Sequence, residues 1–103
     1  MYRMQQRWEV LYGHFADFMN NLDEVNSVSR NRGWSELVAW IPTSGKANEV
    51  ILISDYPDIA TYKQEEAASY ADPEFMKVWR QGAQFVVQGS GHIEMLEPAP
   101  RLV

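Results

Sequence analysis

The chain has 103 residues, 46% of them hydrophobic and 13% aromatic, enough to bury the core of one domain. A net charge of −5 with scattered basic residues argues against nucleic acid as a partner, because phosphate binding requires a concentrated basic surface. The absence of Cys excludes disulfides, thiolate metal sites and Cys nucleophiles. No apolar run approaches the ~18 residues of a membrane span, and the N-terminus lacks the apolar core of a secretory signal. We therefore expect a cytoplasmic protein without a membrane partner.

The first third of the chain predicts a strand followed by a helix. Residues 2–12 alternate between apolar and polar side chains, with Gln6 as the exception on the apolar side, and this period of two is typical of a strand. Residues 14–32 carry apolar side chains at the spacing of an amphipathic helix. Gly33 follows a basic stretch and is suited to terminate that helix.

Two apolar runs in the middle of the chain predict a β-hairpin. Residues 34–41 are rich in Trp, Leu, Val and Ile, and residues 48–56 contain the continuous run Val50–Ile53. The segment Thr43–Lys46 between them has the composition of a turn. The length of this connection is within the normal range for neighbouring strands.

Helical segments and one more strand complete the predicted fold. Asp58 is placed to cap one helix, and Asp72 followed by Pro73 marks a second helix start, whose apolar stripe extends to Val86. Residues 92–97 alternate again and predict the last strand. This order of elements is that of an α+β, ferredoxin-like βαββαβ fold with a four-stranded antiparallel sheet and helices on one face.

The predicted domain spans residues 1–97, and residues 98–103 form a C-terminal tail. Helices cover one face of such a sheet, yet residues 37–41 and 50–53 are apolar on both faces. A large exposed apolar sheet face is typical of an interface. We therefore expect a homodimer in which two sheets pack face to face with two-fold symmetry. The alternative is a monomer whose tail or loops cover the sheet.

Several short segments share the spacing of a known family. They comprise a turn before a strand, the end of that strand, two helix starts, and the opening strand with its turn: Gly45–Val50, Ile53 with Tyr56, Asp58–Ala60, Asp72–Phe75, Met1–Met4 and Gly13–Phe15. Together they resemble the NIPSNAP-type branch of the dimeric α/β-barrel superfamily over residues 1–97. The chain departs from the family pattern where Ala47 replaces the usual Leu and where Ser54 and Asp55 replace the usual strand-end Trp.

The resemblance implies a dimer of ferredoxin-like units whose sheets form a barrel, with a cavity in each subunit beside the sheet. Relatives include cofactor-independent quinol-type monooxygenases, haem-degrading enzymes, small-molecule isomerases and proteins without an assigned activity. Because one fold hosts several activities, the resemblance does not select one. Our main expectation is that this cavity binds a small hydrophobic or aromatic molecule. The alternatives are a quinol-type monooxygenase and a haem-binding or haem-degrading protein.

The two histidines supply the candidate catalytic residues. His92 and Glu94 alternate on the last predicted strand, and a carboxylate beside an imidazole suits general-base chemistry, although a surface pair has the same spacing. His14 lies at a strand-to-helix junction, where a structural role at the helix end is the alternative. Two isolated histidines without an acidic cluster do not predict a metal site, and the chain contains no phosphate-binding loop or nucleophile motif. We therefore expect neither a metal nor a cofactor.

The candidate ligand-binding residues are basic or aromatic. Arg3 and Arg7 lie on the polar side of the first strand, where they suit an anionic or carbonyl-bearing ligand; the alternative is a layer of salt bridges between subunits. The aromatic candidates, which suit a pocket wall or core packing, are Trp40, Tyr56, Tyr62, Phe75 and Trp79. We expect the mouth of the pocket to lie within residues 62–79.

Overall fold

One sheet with helices on a single face organises the protein. The computed structural model describes residues 1–101, so the last two residues of the predicted tail lie outside the described range. Its elements are β1 (Tyr2–Glu9), α1 (Phe15–Arg32), β2 (Val38–Trp40), β3 (Glu49–Tyr56), α2 (Ile59–Tyr70), α3 (Pro73–Gln81), a 3₁₀ turn (Gly82–Phe85) and β4 (His92–Leu96). No helix within the described range is both long enough and apolar enough to cross a membrane.

The strand order is β2-β3-β1-β4, and every pairing is antiparallel. This order confirms the predicted α+β, ferredoxin-like fold. The β1–β3 register runs from Tyr2 opposite Tyr56 to Glu9 opposite Glu49. Directly opposed residues share a face of the sheet. The face without helices, called the open face below, therefore carries Arg3, Gln5, Arg7, Glu9, Val38, Trp40, Glu49, Ile51, Ile53, Asp55, His92, Glu94 and Leu96.

The hydrophobic core lies between the sheet and α1. Its buried cluster combines helix and strand residues: Val10, Phe18, Leu22, Val50 and Leu52. Phe18 and Leu22 stand one helical turn apart, as the predicted amphipathic stripe requires. Burying side chains of this size contributes ~1.5–3 kcal/mol each. The core therefore fixes α1 against the two central strands.

The strand β2 is shorter than predicted, because the backbone before it has other partners. The Asn26 side chain accepts a hydrogen bond from the Leu37 amide at 2.8 Å and donates one to the Leu37 carbonyl at 2.8 Å. The amide of Ser35 donates to the carboxylate of Glu65 at 2.6 Å. These bonds take the place of a strand ladder, so the strand predicted over residues 34–41 is limited to Val38–Trp40.

The helix α3 ends before the apolar stripe that predicted its length. Asn21 of α1 donates a hydrogen bond from Nδ2 to the carbonyl of Val78 at 3.0 Å, the acceptor that the Gly82 amide would use in a continuing α-helix. The backbone amides at the C-cap of α3 instead donate to the carbonyls of Trp79 and Arg80. A 3₁₀ turn follows, and Val86 forms a bridge with Val10. The predicted extension of the helix to Val86 is therefore wrong.

Both predicted helix caps are present. Asp58 accepts a hydrogen bond from the Thr61 amide at 2.7 Å, and Asp72 accepts one from the Phe75 amide at 3.0 Å. The pKa of Asp72 is held below its usual value, first by the amide of Phe75 and then by the guanidinium of Arg32. The guanidinium lies 2.9 Å from the Asp72 carboxylate. Asp72 therefore stabilises the fold above the carboxyl pKa of the unfolded chain, and this contribution is lost as pH falls through the lower pKa of the folded state.

The substitution Asp72→Ala is expected to lower the melting temperature by about 5 °C, because it removes the side-chain cap of α3. Thermal unfolding followed by circular dichroism at pH 7 measures this change. Asp72→Asn is the matched control, since Asn caps a helix as well as Asp does but lacks the charge that pairs with Arg32. Equal losses in the two variants would assign the effect to the ion pair and contradict the capping explanation.

Candidate functional site

A cavity of about 210 Å³ lies between the helix-covered face of the sheet and the helices α1 and α3. It is called the apolar cavity below. Its lining residues are Trp8, Phe18, Asn21, Leu22, Val25, Leu52, Trp79, Arg80, Gly82, Ala83 and Val86. Most of these side chains are apolar, and Arg80 is exposed at the edge of the cavity. This arrangement suits a small apolar molecule.

The indole of Trp8 is held in place at the sheet side of the apolar cavity. Its Nε1 donates a hydrogen bond to Gln6 Oε1 at 3.0 Å. Gly91 approaches the ring so closely that a Cβ at this position would lie 2.5 Å from ring carbons of Trp8. A side chain at position 91 would therefore displace the indole of Trp8, which forms one wall of the cavity.

A second space of about 100 Å³ lies between the sheet and the helices α1, α2 and α3. It is called the polar chamber below. Its lining combines aromatic rings with carboxylates and small polar groups: Met4, Gln6, Val25, Ser29, Trp34, Ser35, Leu37, Ser54, Tyr56, Glu65, Glu66, Ser69, Tyr70, Phe75 and Trp79. Val25 and Trp79 line both spaces. The polar chamber and the apolar cavity are therefore adjacent.

Ser54 is an unsatisfied polar residue in the polar chamber. Its side chain is 1% exposed, and its Oγ has no hydrogen-bond partner among the described residues. A buried hydroxyl without a partner costs ~1–3 kcal/mol in folding. Such residues are uncommon in native proteins and require an explanation, such as a bound molecule.

The substitution Ser54→Ala is expected to raise the free energy of unfolding by about 1 kcal/mol, because it removes an unpaired buried hydroxyl and leaves the Cβ in place. Urea denaturation of the protein without added ligand measures the change. Ser35→Ala is the control with the opposite sign, since the Ser35 hydroxyl donates to the Asp55 carbonyl at 3.0 Å. A destabilised Ser54→Ala variant would show that the hydroxyl has a partner.

Three tyrosines pack beside the polar chamber. The Tyr62 ring lies 5.1 Å from that of Tyr56 and 5.5 Å from that of Tyr2. The Tyr62 hydroxyl donates to Glu66 at 2.5 Å. Burial and then this bond raise the pKa of Tyr62. Burial also raises the pKa of Tyr56. The Ser54 hydroxyl lies nearby, although outside hydrogen-bond geometry, and it offsets part of this rise in the pKa of Tyr56.

The predicted basic candidates lie on the open face, away from both spaces. Arg3 makes a two-point ion pair with Asp55 at 2.7 and 2.9 Å, and Arg7 pairs with Glu49. The bond from Arg3 lowers the pKa of Asp55. Both carboxylates come from β3 of the same chain, so these arginines are already paired without a second subunit. Trp40, another ligand candidate, is 58% exposed on this face.

The predicted catalytic pair also lies on the open face. The Nε2 of His92 is 3.1 Å from the Glu94 carboxylate, and both side chains are exposed. His14 lies 3.0 Å from Asp17, and its ring stacks on Phe85 at 5.9 Å. Neither histidine lines the apolar cavity or the polar chamber. Within residues 1–101, no three His, Asp or Glu side chains cluster as a metal site would require.

The aromatic candidates divide between the two sides of the sheet. Tyr56, Phe75 and Trp79 line the polar chamber, and Trp79 also lines the apolar cavity. Tyr62 packs behind Tyr56 and does not line either space. The structure therefore brings three of the predicted aromatic residues together and leaves the others outside the lining.

Sequence reasoning missed several residues that define the two spaces. Trp8 and Gln6 of β1, and Ser54 of β3, point into the helix-covered side of the sheet. The sequence contained a sign of two of these residues, Gln6 and Ser54. Gln6 interrupts the apolar side of the first strand, and Ser54 follows an uninterrupted apolar run. A polar residue in a buried strand position is a recognisable sign of a site.

The NIPSNAP family model matches residues 5–100. A comparison with functionally curated proteins gave no match. An uncharacterised NIPSNAP domain protein from Burkholderia xenovorans superposes with a TM-score of 0.78 at 17% identity, covering 96% of this chain and 95% of that chain. A NIPSNAP family protein of unknown function from Agrobacterium tumefaciens gives a TM-score of 0.76 at 15% identity, with 96% and 88% covered.

A solved structure named antibiotic biosynthesis monooxygenase has a TM-score of 0.72 at 11% identity, covering 97% of this chain and all of that chain. At this identity the similarity establishes a shared fold and not a shared activity. The family model, in contrast, covers nearly the whole chain. The predicted resemblance is thereby confirmed, and this chain belongs to the NIPSNAP family.

Proposed function

We propose that the protein binds a small hydrophobic or aromatic molecule in the apolar cavity. The observation that carries this proposal is the space of about 210 Å³ between Trp8, Leu22, Leu52 and Trp79. Small-molecule sites are concave and lined mostly by apolar side chains, as this space is. The volume is below the ~300–1,000 Å³ of sites for drug-sized ligands. The ligand is therefore a small molecule, of the size of a substituted benzene.

The experiment is a titration with 3-phenylpropan-1-ol, followed by backbone amide chemical shifts in NMR spectra. Binding should shift the amides of Leu22 and Leu52, whose side chains line the apolar cavity. Leu22→Phe fills part of the cavity and should abolish binding. Leu11→Phe is the matched control, because Leu11 is 38% exposed and does not line the cavity. Shifts confined to the open face would contradict the proposal.

We also propose that a second copy of the chain covers the open face. Val38, Trp40 and Leu96 are 55%, 58% and 42% exposed there, and exposed apolar area of this kind favours association. Among the charged side chains of this face, Arg3 and Arg7 are already paired with carboxylates across the strands. These pairs carry both signs of charge, so the face is complementary to its own copy under two-fold symmetry.

Light scattering during gel filtration tests this assembly. At micromolar concentration we expect a mass of twice the 11.9 kDa chain. A mass equal to that of one chain would contradict the homodimer and favour coverage of the open face by some other means. Repeating the measurement at 1 M salt distinguishes apolar association from charge pairing, since salt screens only the second.

A second candidate is a cofactor-independent monooxygenase of the quinol type that acts in the same cavity. The shared fold with the structure named antibiotic biosynthesis monooxygenase supports it. An oxygen electrode with a dihydroxynaphthalene tests this candidate. Loss of oxygen consumption in Leu22→Phe would assign the reaction to the apolar cavity, and loss in His92→Ala would assign it to the open face. No consumption above the buffer rate would leave binding as the function.

A further inference from the structure

We propose that the polar chamber binds the ammonium end of an amine whose apolar body occupies the adjacent cavity. This inference rests on the proposed function and specifies the chemical class of its ligand. The two spaces are adjacent, because Trp79 and Val25 line both. The chamber of about 100 Å³ has room for a head group of a few atoms and not for a second apolar body.

Aromatic rings form part of the lining of the polar chamber. Trp34, Tyr56, Tyr70, Phe75 and Trp79 belong to its lining. The Trp34 and Phe75 rings meet edge to face with centroids 5.7 Å apart, and Phe75 stacks on Trp79 at 6.1 Å. The faces of such rings carry negative partial charge and attract cations. Arrangements of this kind bind alkylammonium groups in other proteins.

The charged residues of the polar chamber are all acidic. Glu65 and Glu66 line it, and no Lys, Arg or His within residues 1–101 does so. Glu65 accepts a hydrogen bond from the Ser35 amide, and Glu66 accepts one from Tyr62. A carboxylate has about four acceptor sites, so both retain capacity for a ligand. Partly buried carboxylates without a cationic partner are costly, and an ammonium group would offset that cost.

The raised pKa of Tyr56, which lines the polar chamber, supports a cation site there. The negative charges of Glu65 and Glu66 add to the effect of burial in raising the pKa of Tyr56. The same field that disfavours a phenolate at this position favours a cation. The net charge of −5 of the whole chain also favours the approach of a cationic ligand over an anionic one.

Ser54 supplies an observation that is independent of the acidic residues. Its hydroxyl is buried, lines the polar chamber and has no partner among the described residues. An ammonium group has three donors and no acceptor, so it has donors both for the Oγ of Ser54 and for a glutamate of the same lining. The ligand would thereby satisfy the hydroxyl that the folded chain leaves unpaired.

The experiment compares three probes with one carbon skeleton: 3-phenylpropylamine, 3-phenylpropan-1-ol and 3-phenylpropionate. Their dissociation constants are measured by NMR titration at pH 7. We expect the amine to bind about tenfold more tightly than the alcohol, and the carboxylate to bind most weakly. The amide of Ser54 should shift with the amine and not with the alcohol.

Charge-removing variants complete the test. Glu66→Gln retains an acceptor for Tyr62 but removes the charge, and it should reduce the affinity for the amine about tenfold without changing that for the alcohol. Glu65→Gln should act in the same direction. Glu24→Gln is the matched control, because it makes the same change in net charge at an exposed position of α1 outside the chamber lining.

The possible results separate this inference from the proposed function. Equal binding of amine and alcohol, unaffected by Glu66→Gln, would overturn the ammonium site and leave binding in the apolar cavity intact. Tighter binding of the carboxylate would overturn it too, and would point to Arg80 at the edge of that cavity. If none of the three probes binds, both the proposed function and this inference fail.

Discussion

Trp40→Glu is expected to convert the proposed homodimer into a monomer. Trp40 is 58% exposed on the open face. On the adjacent strand β3 it lies directly opposite Ile51, and Ile53 is the next residue on the same face. In a symmetric dimer each copy would bury the new carboxylate among apolar side chains. At several kcal/mol for each unpaired ion, the dissociation constant should rise by a factor on the order of 1,000 or more.

Light scattering across a concentration series measures this change, and circular dichroism verifies that the variant remains folded. Tyr12→Glu is the matched control, because Tyr12 is 80% exposed and lies beyond the end of β1. That variant should keep the mass of the unmodified protein. A Trp40→Glu variant that keeps the same mass would place the subunit contact elsewhere or exclude a dimer through the open face.

Trp79→Ala is expected to lower the free energy of unfolding by about 3 kcal/mol. The indole is partly buried, stacks on Phe75 at 6.1 Å and lines both internal spaces. Its removal would enlarge both spaces and leave the surrounding side chains without packing partners. Urea denaturation at 25 °C measures the loss. The free energy of unfolding should depend on urea concentration with the same slope in the variant and the unmodified protein.

Trp79→Phe is the control for this second prediction. A phenyl ring keeps the stacking with Phe75 and part of the buried aromatic volume, so we expect a cost below about 1.5 kcal/mol. A near-neutral effect of Trp79→Ala would show that the indole is a mobile wall of the cavity and not a packed part of the core. Ligand titrations on the same variants then show whether the wall contributes to binding.

The fold was predictable because its signals are local. The alternation of the first strand, the apolar stripe of α1 and the capping residues Asp58 and Asp72 each act within a few residues of the chain. Their order then leaves few topologies, of which the ferredoxin-like arrangement is one. The NIPSNAP resemblance followed from the same turns and caps, so it specified the fold and not the chemistry.

Errors in the predicted elements arose where distant side chains bond to the backbone. Asn26 takes both backbone groups of Leu37, which shortens β2. Asn21 takes the carbonyl of Val78, which ends α3 early. Both asparagines stand on α1, 11 and 57 residues along the chain from the groups they bind. Local periodicity contains no information on such contacts.

The candidate site was predictable only in part. Aromatic composition correctly indicated that Tyr56, Phe75 and Trp79 are available to line a space, but it assigned Trp40 to the same group although this residue lies on the opposite face of the sheet. The alternation of β1 placed Arg3 and Arg7 together, yet their partners Asp55 and Glu49 depend on the register with β3. The roles of these residues in binding or catalysis remain predictions.

Side-chain periodicity, turns and caps were thus enough to predict the order of the elements and an antiparallel sheet with helices on one face. Three-dimensional packing alone established that Trp8, Gln6 and Ser54 face two internal spaces, and that the histidines do not. The physical reason is that a cavity is enclosed by residues from separate elements, and its volume depends on how closely those elements approach. An unpaired group such as the Ser54 hydroxyl can be recognised only when every neighbour is in place.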